Sequence, residues 1–157
     1  TPYGTETMHV LRAEKGFIIV GQDTDGSATP SDLNMDWIVS KKKEDFLGKR
    51  SFIRPDTIKE NRKHLVGLLI NDKKTVVPEG SHIVDEVSKK PPMKMSGHIT
   101  SSYHSPTLGY PIAMAMLKNG KNRHGETVLI PLMDGKVVEA TVTDSVFYDK
   151  EGARQND

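Results

Sequence analysis

The spacing of apolar residues changes character along the chain. Over residues 5–15, Met8, Val10 and Leu11 form an apolar stripe among polar neighbours, Glu6 suits a first turn, and Gly16 stands where a helix stops in a left-handed residue. This predicts a helix over 5–15 with Thr5 as its cap. Phe17-Ile18-Ile19-Val20 is a continuous, β-branched apolar run, expected to be a strand or a buried extended segment. Residues 21–27 are turn chemistry throughout. Thr29-Pro30 then offers an N-cap followed by Pro at the first helical position, predicting a short helix through Leu33 that leads into Trp37-Ile38-Val39.

Residues 54–62 are polar and contain Pro55, and the pattern beyond them is that of short strands. Apolar runs occupy 65–70, 83–84, 97–100, 112–116, 128–130 and 137–142, with Gly or Pro between them. Asp134-Gly135 lies between two of these runs and is expected to form a hairpin turn of the primed type. The fold class expected is α+β and β-rich, with a small antiparallel barrel or sandwich at the carboxyl-terminal end. The units expected are 1–53, a linker at 54–62, the barrel at 63–149 and a polar tail at 150–157. There is no internal repeat and no low-complexity tract.

Composition narrows the chemistry. The 157 residues suffice for one ordinary domain, or for a barrel with part of a neighbour. With no Cys, thiolate zinc sites, iron–sulfur ligation and a Cys nucleophile are excluded from this chain, and a reducing compartment is indicated. A net charge of +1 gives no electrostatic basis for binding nucleic acid. No apolar stretch reaches the roughly 18 residues of a membrane helix, and the first residues lack the plan of a signal peptide, so a cytoplasmic, soluble protein is expected. Because the chain opens without Met and runs directly into a helix, further sequence is expected upstream.

His9, His64, His82, His98, His104 and His124 show neither helical pairing nor neighbouring carboxylates, so no metal site is read. Ser101, Ser102 and Ser105 lie near His98 and His104 but lack the context of a hydrolase triad, and are expected to form a Ser/Thr-rich turn. No phosphate-cradling glycine motif occurs. The seven Met residues fall mostly in apolar runs, where they suit gap filling. Trp37 is expected as a core or domain-interface anchor.

Glu14 is the most informative side chain. A carboxylate in the last turn of a helix opposes the macrodipole, which costs about 0.3–1 kcal/mol when exposed. Two readings follow: a solvated Glu paired with Arg12 or Lys15, or a carboxylate accepting two parallel hydrogen bonds from a ring with adjacent N–H donors, such as the amino-pyrimidine edge of a pterin. Likewise Lys41, Lys42 and Lys43 form either a solvated basic face or a site that steers an anionic ligand tail.

The run Leu11-Arg12-Ala13-Glu14-Lys15-Gly16, followed by Gly21-Gln22-Asp23, Thr29-Pro30, Trp37 and Lys41-Lys42-Lys43, resembles the signature of the glycine-cleavage T-protein, or aminomethyltransferase, superfamily. Phe46-x-Gly48-Lys49, Gly97-His98-Ile99-Thr100-Ser101 with Ser105-Pro106, and Arg123-His124-Gly125 extend the resemblance to about Phe147. Within the family, Glu6-Thr7-Met8-His9-Val10, Ile38-Val39-Ser40 and Lys73-x-Thr75-Val76-x-Pro78-Glu79-Gly80 look most like the α subunits of heterotetrameric sarcosine oxidases.

The resemblance implies that residues 1–53 end a folate-binding domain and that the barrel is jelly-roll-like. It implies a tetrahydrofolate site in which Glu14 takes the pterin-reading position, and Lys43 stands where the T-protein has an Arg that helps hold folate. A Tyr that T-proteins place near their carboxyl end has no counterpart around Gly152. The family's catalytic Asp is expected upstream, so no catalytic residue is assigned and the piece alone is expected to be inactive. FAD, FMN and NAD would be bound elsewhere in the parent enzyme. Partners would be a reduced folate and the other sarcosine oxidase subunits, with no nucleic acid, no membrane, and self-association of the isolated chain through an exposed Met8 and Leu11. A fragment of an aminomethyltransferase or dimethylglycine dehydrogenase, and a non-catalytic docking barrel, are the alternatives.

Overall fold

The computed structural model describes residues 2–88, 90 and 92–155; the first residue of the expected amino-terminal unit and the last two of the tail lie outside these. Helix α1 spans Thr5–Glu14 with Gly4 as its N-cap, and no side chain caps it, so Thr5 sits inside the first turn. The helix ends at Gly16 (φ 69°). There the Gly16 N–H donates to Ala13 O (3.0 Å) and the Phe17 N–H to Arg12 O (2.8 Å), satisfying carbonyls that a helix end otherwise leaves open. A Cβ at Gly16 would stand 2.6 Å from Ser145 O, so the helix end packs directly on the chain that follows the barrel.

The apolar run after α1 is not a strand. Gln22 and Asp23 both turn their N–H groups back to Ile19 O, Val20 makes only a single bridge to Thr24, and Phe17 (57%) and Val20 (84%) are exposed. A run of four is too short to override the turn residues that follow it. The short helix expected after Pro30 is a 3-10 turn, Ser31–Leu33. Asp32 secures it by accepting from Thr29 N (2.7 Å) and Thr29 Oγ1 (2.8 Å), and it also receives the Arg62 guanidinium. Trp37, in the 3-10 turn Asp36–Ile38, is 79% exposed and therefore no part of this chain's core.

Six strands follow, one for each apolar run: β1 (Lys63–Ile70), β2 (His82–Val84), β3 (Met95–Ser105), β4 (Tyr110–Lys118), β5 (Thr127–Pro131) and β6 (Val137–Thr143). They close into an antiparallel barrel in the order β1-β4-β3-β2-β5-β6, with β6 returning to β1 through pairs such as Leu68↔Val142. The β-rich α+β class is thus the one adopted. Val66, Leu68, Ile99, Ala115, Leu117 and Ile130 fill the interior. Outside it, Leu65, Ile112, Met114 and Met116 form a second apolar cluster with Ala13 of α1. This explains the unbroken apolar run in β4: both of its faces are covered. Gly67 lies where the chain after β6 crosses β1, and a Cβ there would overlap Asp144 O and the Phe147 ring.

The β5–β6 turn departs from the primed geometry. Only Gly135 has positive φ (85°), and Leu132 N donates to Lys136 O (2.8 Å) around three intervening residues. That is a three-residue loop with its left-handed position on the glycine.

Two outcomes follow from this packing. Burial, then Lys121 for His64 and Lys63 for His98, holds both imidazoles below their ordinary pKa. Neutral rings therefore stabilise the fold above the unfolded-state value of about 6.5, and that contribution is lost as pH falls below it. The thermal midpoint should decline on acidification from pH 6.5, and His64→Asn with His98→Asn should flatten the decline. Met8, Leu11, Trp37 and Ile38 are each exposed on the segment before the barrel, so the isolated chain should self-associate. Light scattering should show more than monomer mass, with Leu11→Asp and Trp37→Ser reducing it; a monomer at high concentration would contradict this.

Candidate functional site

Two carboxylates tie α1 and the turn after it to the barrel, and strand β3 supplies three of their six partners. The first is Asp23, 1% exposed. Its Oδ2 receives Arg12 Nη1 (2.6 Å) and the Ile19 N–H (2.8 Å), while Oδ1 receives Thr100 Oγ1 (2.5 Å) and Ser101 Oγ (2.7 Å). Arg12 also donates through Nη2 to Ser101 Oγ (2.6 Å) and Tyr103 Oη (3.3 Å), and its guanidinium lies 5.6 Å from the Tyr103 ring centre. Gln22 adds amide bonds to Thr100 O (3.2 Å) and Ser101 Oγ (3.1 Å). Arg12 Nε alone in this cluster has no partner among the described residues.

Consecutive residues of a regular strand point to opposite faces, yet Thr100 and Ser101 both reach Asp23. A register shift between Ile99 and Ser101 makes this possible, since the extra residue rotates the strand locally.

Glu14 is the second carboxylate. It is 2% exposed, with Oε1 accepting from Ser105 Oγ (2.5 Å) and Oε2 from Thr107 Oγ1 (3.1 Å). Its main-chain oxygen accepts from both Phe147 N and Tyr148 N, each at 2.9 Å. The solvated reading fails, because neither basic neighbour pairs with it. Arg12 is committed to Asp23, and Lys15 Nζ donates to Asp149 O (2.5 Å). Hydroxyl dipoles from the barrel, rather than a cation, offset its unfavourable place at the helix end.

Lys43 lies on an exposed segment of irregular structure, and no hydrogen bond or ion pair joins it to Glu14 among the described residues. Ser101 and Ser105 are in β3, not in a turn. The signal for this was present as a period of two: Ser101, Tyr103 and Ser105 alternate with Ser102 and His104, and the first set faces α1. Among the described residues no group of three or more potential ligands could hold a metal ion, and no helix is long and apolar enough to cross a membrane.

A barrel whose outer face carries a helix and its following turn is a two-part unit, and comparison with known proteins gives it a family. Residues 63–149 match the glycine cleavage T-protein C-terminal barrel domain, and residues 1–43 match the GCVT N-terminal domain. The chain belongs to the glycine cleavage T-protein family. It is 53% identical, over 99% of its length, to sarcosine oxidase subunit alpha of Corynebacterium sp. (strain U-96), and 37% identical over 98% to that of Rhizobium meliloti (strain 1021). It spans 16% of each of those proteins. Aminomethyltransferase of Thermotoga petrophila is 32% identical over 94% of this chain, which spans 37% of it. The crystal structure of aminomethyltransferase T from Bartonella henselae has the same fold, with a TM-score of 0.75 at 24% identity over 90% of this chain and 38% of that one.

Asp23→Ala would leave the Arg12 guanidinium buried without its counter-charge. Denaturant unfolding should show a loss of about 3–5 kcal/mol. A loss near zero would mean that the pair does not anchor the helix.

Proposed function

We propose that this chain is the reduced-folate-reading, carboxyl-terminal part of a sarcosine oxidase α subunit. In such an enzyme the N-methyl carbon of sarcosine is oxidised and then captured by tetrahydrofolate as 5,10-methylenetetrahydrofolate. FAD, FMN and NAD would be held elsewhere in the parent protein, where a flavin would supply the two-electron oxidation. The residues here bind and orient the folate; they perform no proton or electron transfer. The observation that carries the reading is the 53% identity to a sarcosine oxidase α subunit across nearly the whole chain, against 32% to an aminomethyltransferase. Other subunits of that oxidase are then its partners, and the cytoplasm its compartment.

Glu14 is the folate-reading group in this proposal. An ionised carboxylate has about four acceptor positions, and Ser105 and Thr107 occupy two, which leaves two for the adjacent N–H donors of a pterin. Lys43 takes the family's Arg position and steers the anionic tail of the folate. Its ammonium retains the charge and loses the planar fork, so its contribution is chiefly electrostatic and sensitive to salt.

Calorimetric titration of the full-length enzyme with tetrahydrofolate tests the assignment. Glu14→Gln keeps the shape and removes one acceptor and the charge, and should weaken binding by about tenfold or more. Lys43→Met should weaken it less, with the difference shrinking as salt is raised. Unchanged affinity in Glu14→Gln would overturn the role given to this residue.

A further inference from the structure

Glu14 is held far more tightly than a folate-reading carboxylate requires for docking its helix alone. The Arg12–Asp23 cluster already clamps α1 to β3, and the Glu14 carbonyl is separately bound by Phe147 N and Tyr148 N at 2.9 Å. The two hydroxyls on its carboxylate satisfy a buried acidic group, and because they grip both of its oxygens they also hold it in one orientation. We infer that Ser105 and Thr107 are positioning residues, which fix the plane of the Glu14 carboxylate and make it a reader of donor–donor edges. This inference rests on the proposal that Glu14 contacts the folate.

The direction of each hydrogen bond carries the argument. Ser105 is fully buried, and its Oγ accepts the Leu108 N–H at 3.0 Å. Its single proton then goes to Glu14 Oε1 at 2.5 Å. Thr107 Oγ1 reaches the other oxygen at 3.1 Å. With one lone pair of each oxygen occupied by a hydroxyl donor, the remaining pairs are both acceptors lying in one fixed plane. A ring that presents an amino group beside a ring N–H satisfies both. A ring edge that pairs a donor with an acceptor leaves one oxygen facing an oxygen or a bare nitrogen, and is rejected. A Glu without these partners would be free to rotate about its last torsion, which is broad for sp² ends, and would discriminate less.

The test uses the full-length enzyme, with tetrahydrofolate as the titrant and thermal unfolding as a control. Ser105→Ala and Thr107→Val should each raise the dissociation constant by about tenfold. Thr107→Ser, which retains the hydroxyl, should restore the original value. Thr107→Ser keeps the bond to Glu14 and should keep the wild-type thermal midpoint, whereas Thr107→Val removes one partner of a buried carboxylate and should lower the midpoint slightly. In a Glu14→Gln background, Ser105→Ala should add little further loss, because both changes act through one group. If Glu14→Gln weakens binding while Ser105→Ala and Thr107→Val leave it unchanged, or if Ser105→Ala costs the same in both backgrounds, the positioning role is overturned. If Glu14→Gln itself has no effect, the assignment of Glu14 falls first and the inference falls with it.

Discussion

A buried ion pair between Arg12 and Asp23 fixes how α1 and the turn after it lie on the barrel. The pair joins α1 to the turn that follows it, and the hydroxyls of Thr100 and Ser101 join both to β3. All four acceptor positions of the Asp23 carboxylate are filled, by Arg12, Ile19 N, Thr100 and Ser101. Removing two charges from water costs several kcal/mol for each ion, so the net stability gained from such a pair is small. Its consequence here is geometric. This placement brings both terminal nitrogens of Arg12, Thr100 and Ser101 into one network with Asp23, and a helix shifted by one turn would leave a charge buried and alone.

The barrel makes that placement possible by departing from regularity in one strand. The shift between Ile99 and Ser101 brings two successive hydroxyls to one carboxylate, while Tyr103 and Ser105 continue along the same face towards Glu14. Close approach does the rest. Gly16 admits the Ser145 carbonyl and Gly67 admits the chain that returns over β1, so the segment after β6 can bind the Glu14 carbonyl. A side chain at either glycine would push that segment away and loosen the end of α1.

Glu14 has a structural role that its packing displays, beside the folate-reading role proposed for it. A carboxylate at a helix carboxyl end is unfavourable in isolation, and two barrel hydroxyls offset this without neutralising it. What they leave is one acceptor position on each carboxylate oxygen, held in a fixed orientation. That is the requirement for reading a pterin edge, and it depends on the barrel being in place. In this chain the barrel thus orients the group proposed to bind folate.

Much of the fold was legible in the residue pattern. The helix with Glu14 near its end, six apolar runs that became six strands and a glycine at the β5–β6 turn follow from local spacing, and the run Leu11-Arg12-Ala13-Glu14-Lys15-Gly16 carries the resemblance to the family. The run at 17–20 misled, because its composition suited a strand while the following turn drew its backbone away. The serines of β3 misled too, because a hydroxyl suits a turn as readily as a buried acceptor. The sequence by itself determined the periodicities and the places where the chain turns between strands, which are properties of neighbours, and its motifs carried the resemblance to the family. Only the tertiary structure decided that Asp23 and Glu14 are buried and that Ser101 and Ser105 serve them. Those partners stand 78 and 91 positions away along the chain, and exclusion of water exists only once the helix lies on the barrel.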